Sequence, residues 1–502
     1  MSIPKAREQA RRPWWVLSTY FAEGFPYGLV RLMSTAYFKE HGASLEAIGL
    51  TSLLGIPWTI KFLWAPLIDG FGTKRRWLLI FELAVVAGLA SLGLASTTAS
   101  PLVVGSLAFM MIAFLAASHD VAIDGYYLEA LDRTAQSRWV GLQSAAYRIG
   151  MVTGSGGIAW ICGRYSWLLG YSVAAAMLGG VWLLHALRLP RSEQVRRPMS
   201  GLGRYLLDPR AVFSVSGAVL LVVIIDAVLR VPGLAPVKAV LGRLSIPSWI
   251  VLGLLILLLV LAVRAPSLKR KLYASESHYA AAFVNYLDRP KVGLILAFIV
   301  TFRIGESLVQ NMAYPFLKDI GITLAQYALA HNTFGITATL IGGILGGLLI
   351  ARFDLKRCIW PFVLMLNSLN LLYMLLAFKY QGILADPGSG RASFGLVCLL
   401  VTVEQFGAGF GNAAFAVFIM RTARIRFKAA HFAIGTGLMN VAGTLAGVVS
   451  GFVAARVGFG LYFGLTALAT IPNMLLIPFL PYLNLDEVKQ DDLAGGGVPS
   501  EG

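Results

Sequence analysis

Runs of about 20 apolar residues recur along almost the whole of this 502-residue chain, and a helix needs about that many to cross a hydrocarbon core. No water is available there to backbone N–H and C=O groups, so each run has to close its hydrogen bonds within a helix. On that rule spans fall near 14–38, 46–69, 77–97, 101–126, 139–162 and 165–187. Two more lie near 211–231 and 247–264, and the last six near 291–316, 325–351, 359–378, 392–419, 430–455 and 459–482. The total of fourteen predicts an all-α polytopic membrane protein. Composition agrees: 57% of positions are apolar and 13% charged, whereas soluble domains sit near a quarter charged.

The six spans before the middle pair share a charge pattern with the six after it. Below, the two sets are numbered one to six and seven to twelve, with the pair left unnumbered. Phe38-Lys39-Glu40-His41-Gly42-Ala43-Ser44-Leu45 corresponds to Leu317-Lys318-Asp319-Ile320-Gly321-Ile322-Thr323-Leu324. One helix further on, Asp69-Gly70-Phe71-Gly72-Thr73-Lys74-Arg75-Arg76 corresponds to Ala351-Arg352-Phe353-Asp354-Leu355-Lys356-Arg357. Duplicated sets of membrane helices predict two halves that rock about a shared site near the midplane, the layout of a secondary transporter. The expected domains are a six-helix bundle over 1–190, a linker carrying the inserted pair over 191–290, a second six-helix bundle over 291–484 and a disordered tail over 485–502. That tail is acidic, then Gly-rich, and too poor in apolar residues to order itself.

The net charge of +17 does not point to nucleic acid, because no basic stripe with interleaved aromatics lies outside the spans. Its cations fall between apolar runs, where they set orientation and meet anionic lipid. Lys5, Arg7, Arg11 and Arg12 precede span one, Lys74, Arg75 and Arg76 follow span two, and Arg421, Arg424, Arg426 and Lys428 follow span ten. Both termini are therefore expected on the cytoplasmic side, with no removable signal peptide. Cys162, Cys358 and Cys398 are scattered and the six histidines show no ligand spacing, so neither a metal nor a cofactor is expected.

Polar residues inside spans mark candidate sites, since a charge there costs roughly 2.5–3.5 kcal/mol even on the lenient insertion scale. Glu23, Tyr27 and Arg31 recur every four residues on one face of span one, beside the helix-weakening Gly24, Pro26 and Gly28. They either line a wet cavity or form a Pro-kinked structural Glu–Arg pair. Arg303, Glu306 and Gln310 share a face of span seven. Arg148 lies near the middle of span five, one turn after Gln143. Glu404 and Asn412 lie on one face of span ten. Asp120 and Asp124 sit one turn apart in span four, as proton carriers or, for Asp124, as a latch on the basic turn.

Pro66-Leu67-Ile68-Asp69-Gly70-Phe71-Gly72 followed by Lys74-Arg75-Arg76 resembles the loop signature of the major facilitator superfamily. The stretch Ile56-Pro57-Trp58-Thr59-Ile60-Lys61-Phe62-Leu63-Trp64-Ala65-Pro66-Leu67-Ile68-Asp69 resembles the second helix of AmpG-type muropeptide permeases, in the peptide and acetyl-coenzyme A transporter family. Ser118-His119-Asp120-Val121-Ala122-Ile123-Asp124, Tyr147-Arg148-Ile149-Gly150, Phe302-Arg303-Ile304-Gly305-Glu306 and Val403-Glu404-Gln405-Phe406-Gly407-Ala408-Gly409 extend the likeness over roughly 14–482. The resemblance implies a major facilitator fold of two six-helix bundles plus two inserted helices. It implies a monomeric, multi-pass protein of the bacterial inner membrane that takes up anhydro-muropeptides or related anionic wall fragments with protons.

On this reading Glu23, Tyr27, Arg31, Gln143, Arg148, Arg303, Gln310 and Asn412 bind substrate. Asp120, Glu306 and Glu404 handle protons, with Glu23 as a further candidate. Asp69, Lys74, Arg75, Arg76 and Asp124 form a gate. Acetyl-coenzyme A or an iron–siderophore complex is the alternative cargo. A membrane-embedded enzyme or a lipid sensor is the alternative class, and no nucleophile–base pair or soluble signalling domain favours either.

Overall fold

The computed structural model describes residues 14–61, 64–131, 133–191, 198, 284–381, 391–422 and 428–487. The inserted pair near 211–231 and 247–264, most of the 191–290 linker and the tail from 488 lie outside the described residues, so the expected total of fourteen spans reaches beyond them. Among the described residues there is helix and no strand, and eight helices are long and apolar enough to cross a membrane. They cover spans three, four and six to ten, plus one helix, Gly437–Phe479, that runs through most of spans eleven and twelve. That helix bends at Gly458, whose φ of 74° is open to glycine but strained for other residues.

Spans one, two and five fall short of that measure for local reasons. Span one is Trp14–Arg31 followed, after a turn at Leu32 and Met33, by Ser34–Glu40. Span two runs as Leu45–Leu50, a 3-10 turn Thr51–Gly55 and Ile56–Ile60, and resumes as Ala65–Gly70. Span five, Arg133–Val152, is polar and widens into a π turn at Thr153–Gly157 before Ile158–Arg164. Broken or bulged helices survive in a bilayer only where protein or a wet cavity meets the freed backbone groups. All three carry candidate site residues.

The internal repeat is visible bond for bond. Gly42 and Gly321 both take positive φ, at 80° and 93°. Their amides donate to Lys39 and Lys318 O, and the next amides, of Ala43 and Ile322, donate to Phe38 and Leu317 O. Ser44 and Thr323 then cap the following helices by accepting from the Ala47 and Gln326 amides. The end of each half opposite these turns is stapled by an arginine. Arg75 donates to the Leu189 and Ala186 carbonyls at the end of span six, and Arg421 donates to Leu483 O and to Asp354.

Within each half, glycines bring backbones into contact. A Cβ on Gly24 or Gly150 would collide with the carbonyl of Tyr147 or Phe21, locking spans one and five together. Gly342 and Gly409 do the same for spans eight and ten, the small-residue packing expected where lipid leaves no hydrophobic drive between helices.

Between the halves, contact is concentrated at one end. A Cβ on Gly451 of span eleven would overlap Leu45 O of span two, and one on Gly163 of span five would press on Ala325 of span eight. The π turn of span five faces a second π turn, Leu329–Gly335, and Ser155 Oγ donates across the gap to Asn332 Oδ1 at 3.1 Å. Ser52 Oγ similarly donates to Asn311 Oδ1 at 3.1 Å. Among the described residues every hydrogen bond and ion pair between the halves lies on the side of the duplicated turns. Gly451→Val should therefore wedge that end apart. Distances between spin labels on residues 46 and 456 would lengthen by several ångströms, and an unchanged distance would contradict the contact.

Candidate functional site

Three carboxylates and an ammonium meet inside the first half. Glu23 comes from span one, Asp120 and Asp124 from successive turns of span four, and their oxygens lie within 4.8 Å of one another. Lys61, at the end of the Ile56–Ile60 segment, places Nζ 2.6 Å from Asp120 Oδ2. The Tyr20 hydroxyl donates to Asp124 Oδ1 at 3.0 Å. Glu23 Oε2 is buried with no hydrogen-bond partner among the described residues.

With one cation against three acids, the nest has two carboxylates without a counter-charge, so it has a place for a proton. A hard metal ion fits less well, because such ions want six or more oxygens and the Lys61 ammonium already holds the position beside Asp120. Asp124 thus turns to Tyr20 and the nest, where a latch on the basic turn was one expectation. In that turn Lys74 Nζ donates to Ile68 O, Arg75 holds the end of span six, and Arg76 is exposed with its amide capped by Thr73. The side chain of Asp69 lies outside what the structure describes.

Glu23 and Arg31 do not form the structural pair that their spacing allowed. The Arg31 guanidinium packs on Gly55 and donates to Ser52 O at 2.7 Å, tying span one to the 3-10 turn of span two. Tyr27, between them on the same face, meets Trp58 of span two edge-on at 5.2 Å and Tyr147 of span five at 5.9 Å. Further along, the Tyr314 hydroxyl of span seven donates to Glu40 at the end of span one. Spans one and seven therefore meet at the end that carries the duplicated turns.

In the second half, span seven breaks at Arg303, the residue between helices Val292–Phe302 and Ile304–Asp319. Its guanidinium forks onto Glu306 with N–O distances of 3.1 and 3.0 Å, and Gln310 Nε2 adds a bond to Glu306 Oε1 at 2.9 Å. Bidentate pairing of this kind is strong and directional. Glu404, buried in span ten, accepts from Gln405 Nε2 at 2.9 Å, and Gln405 in turn accepts from Thr339 of span eight at 2.8 Å. Asn412 is half-buried two turns on, and Gln143 is half-buried in span five.

Arg148 is exposed. It lies about two turns before Ser155 and Gly156, which both contact Asn332 of the second half. Among the described residues, neither Arg148 nor Arg303 forms an ion pair with the acid nest; Arg303 pairs with Glu306.

Lys61 is the site residue that sequence reasoning missed. A lysine inside an apolar run is the signal that the sequence offers for it. A second omission is the buried Glu82–His185 pair joining spans three and six, at 2.8 Å, with the other ring nitrogen of His185 2.9 Å from Ser18 Oγ.

Two pseudo-repeated helical halves, joined at one end and carrying buried charges, define a multi-pass helical protein with the major facilitator fold. The comparisons with known proteins narrow this. The BT1 family profile matches residues 21–161. The anhydromuropeptide permease of Escherichia coli is 23% identical over 463 residues, covering 91% of this chain and 77% of that protein. Putative transporter AmpG 2 of Rickettsia bellii is 22% identical, covering 91% of this chain and 94% of its own. Solved structures share the fold. PepTSo, a POT family transporter, aligns with a TM-score of 0.65 at 12% identity, over 94% of this chain and 98% of its own. Peptide transporter POT in complex with sulfate aligns with a TM-score of 0.63 at 13% identity, over 95% and 98%. The resemblance to AmpG-type permeases holds over most of the sequence.

Proposed function

We propose that the protein imports an anionic muropeptide, or a closely related wall fragment, across the bacterial inner membrane with protons, by alternating access. The observation that carries this reading is that each half holds a charged cluster of its own inside the spans. The nest of Glu23, Asp120 and Asp124 with Lys61 lies in the first half. The Arg303–Glu306 fork lies in the second.

Substrate carboxylates suit Arg303 and Arg148. Arg303 is held by Glu306, so a proton on Glu306 frees the guanidinium for cargo, and a proton in the acid nest balances charge as the site changes side. Glu404 is a further proton carrier on this reading. The excess of cations in alternate loops supports basic turns in the cytoplasm; on that orientation the closed end faces the periplasm and the conformation is inward-facing. The name of the Escherichia coli relative supports the cargo, and the fold shared with peptide transporters supports a ligand with a peptide portion.

The test is uptake of labelled anhydro-muropeptide by proteoliposomes under an imposed pH gradient, with acetyl-coenzyme A and a siderophore as competitors. Accumulation that a protonophore collapses, and that neither competitor blocks, is the expected result. Absence of uptake, or indifference to the gradient, overturns the proposal. Arg148→Ala should insert normally yet raise KM for the muropeptide on the order of tenfold or more, the loss expected from one charge-assisted contact. Unimpaired transport by that variant would remove Arg148 from the binding site.

A further inference from the structure

We infer that Tyr27, Trp58 and Tyr147 form a subsite for a pyranose ring, an inference that rests on the muropeptide reading above. The three rings come from spans one, two and five, and Tyr27 touches both of the others. None is fully buried. None of their polar tips, the two hydroxyls and the indole N–H, has a hydrogen-bond partner among the described residues, and none is a buried orphan.

Several aromatic tips elsewhere in the bundles are used. Tyr20 donates to Asp124, Trp64 to Ser118, Trp77 to Phe71 O, Tyr126 to Pro190 O, Trp182 to Leu79 O and Tyr462 to Leu308 O. Buried Tyr and Trp ordinarily find such partners. Three neighbouring rings that keep their tips free, at the depth of the charged site, leave those tips to water or to a ligand.

The chemistry of this cluster selects a sugar. A pyranose presents an apolar C–H face edged by hydroxyls, and rings with free donors at their rims match both features. Binding sites combine apolar walls with a few placed polar groups in this way. Position points the same way. Tyr27 lies one turn from Glu23 of the acid nest on the same helix, and its ring meets Trp58 and Tyr147. A sugar held between them brings an attached carboxylate or peptide to the arginines and leaves its hydroxyls near the acids.

The experiment measures binding by the full-length protein in nanodiscs, with a labelled muropeptide and with the same peptide lacking its sugar. Trp58→Ala should weaken muropeptide binding on the order of ten- to a hundredfold, the range of a buried aromatic anchor, and change sugar-free peptide binding by less than about twofold. Trp58→Phe should recover most of the loss. Tyr27→Phe and Tyr147→Phe, which keep the rings and remove the handles, should each lower muropeptide affinity by a smaller factor. If Trp58→Ala weakens both ligands equally, or neither, the subsite is refuted while the transport reading stands. If the unaltered protein binds no muropeptide at all, the transport reading falls and takes the subsite with it.

Discussion

Asp120→Asn should abolish accumulation of cargo against a gradient while leaving exchange of cargo across the membrane largely intact. The carboxylate is nearly buried and pairs with Lys61 at 2.6 Å. Neutralising it removes one acid from the nest and strands the ammonium, which then turns to Glu23 or Asp124. On the proposed coupling, the nest can no longer gain and lose a proton in step with the halves, so the pH gradient stops driving uptake. Breaking a buried pair from one side costs about 3–5 kcal/mol. Lys61 is about a third exposed (31%), so the stability cost here falls toward the low end of that range or below it.

The double change Asp120→Asn with Lys61→Met should therefore be better folded than Asp120→Asn alone, with coupling still lost. Proteoliposome uptake under an imposed pH gradient, set beside counterflow at equal pH, separates the two activities. Undiminished accumulation by the single variant would exclude Asp120 from coupling.

The second large effect is expected at the closed end. Lys39 pairs with Asp319 at 2.7 Å, Lys318 pairs with Glu40 at 3.0 Å, and the Tyr314 hydroxyl donates to the same Glu40. The bonds are reciprocal because the motif is duplicated: each turn offers a lysine and an acid to the other. Single exposed pairs contribute only about 0.2–1 kcal/mol, and these four side chains are partly exposed. Reversing both lysines does more, since Lys39→Glu with Lys318→Glu replaces two attractions by two repulsions.

A combined shift of about 1–3 kcal/mol moves a two-state equilibrium by 5- to 150-fold. The double variant should thus favour the conformation open at this end and slow transport severely. Restoring charge complementarity with Glu40→Lys and Asp319→Lys should bring back much of the lost rate. A cysteine placed at residue 311 reports the change, through its labelling by an impermeant thiol reagent from the periplasmic side. Equal labelling in all variants would show that the pairs do not hold the gate.

Much of this architecture was legible in the chain. Apolar run lengths placed the spans, and the Gly42–Ser44 and Gly321–Thr323 turns repeat in the backbone as they repeat in the sequence. Helical spacing also put Arg303, Glu306 and Gln310 on one face, where they bond. Spacing along one helix says nothing about which helix lies opposite. Glu23 and Arg31 share a face eight residues apart, yet each found its partner elsewhere, on spans four and two. Lys61 and Asp120 are 59 residues apart, and no local pattern links them. Asp124 went to Tyr20 rather than to a basic turn that lies nearer the end of its span.

Hydropathy and internal repetition alone dictated an all-helical membrane protein with two related halves, because a bilayer accepts long apolar segments only as hydrogen-bonded helices. Which charges meet, which end is shut and which aromatic tips stay free depended on how glycine-faced helices cross. That is a matter of backbone contact between distant segments, and only the folded arrangement decides it.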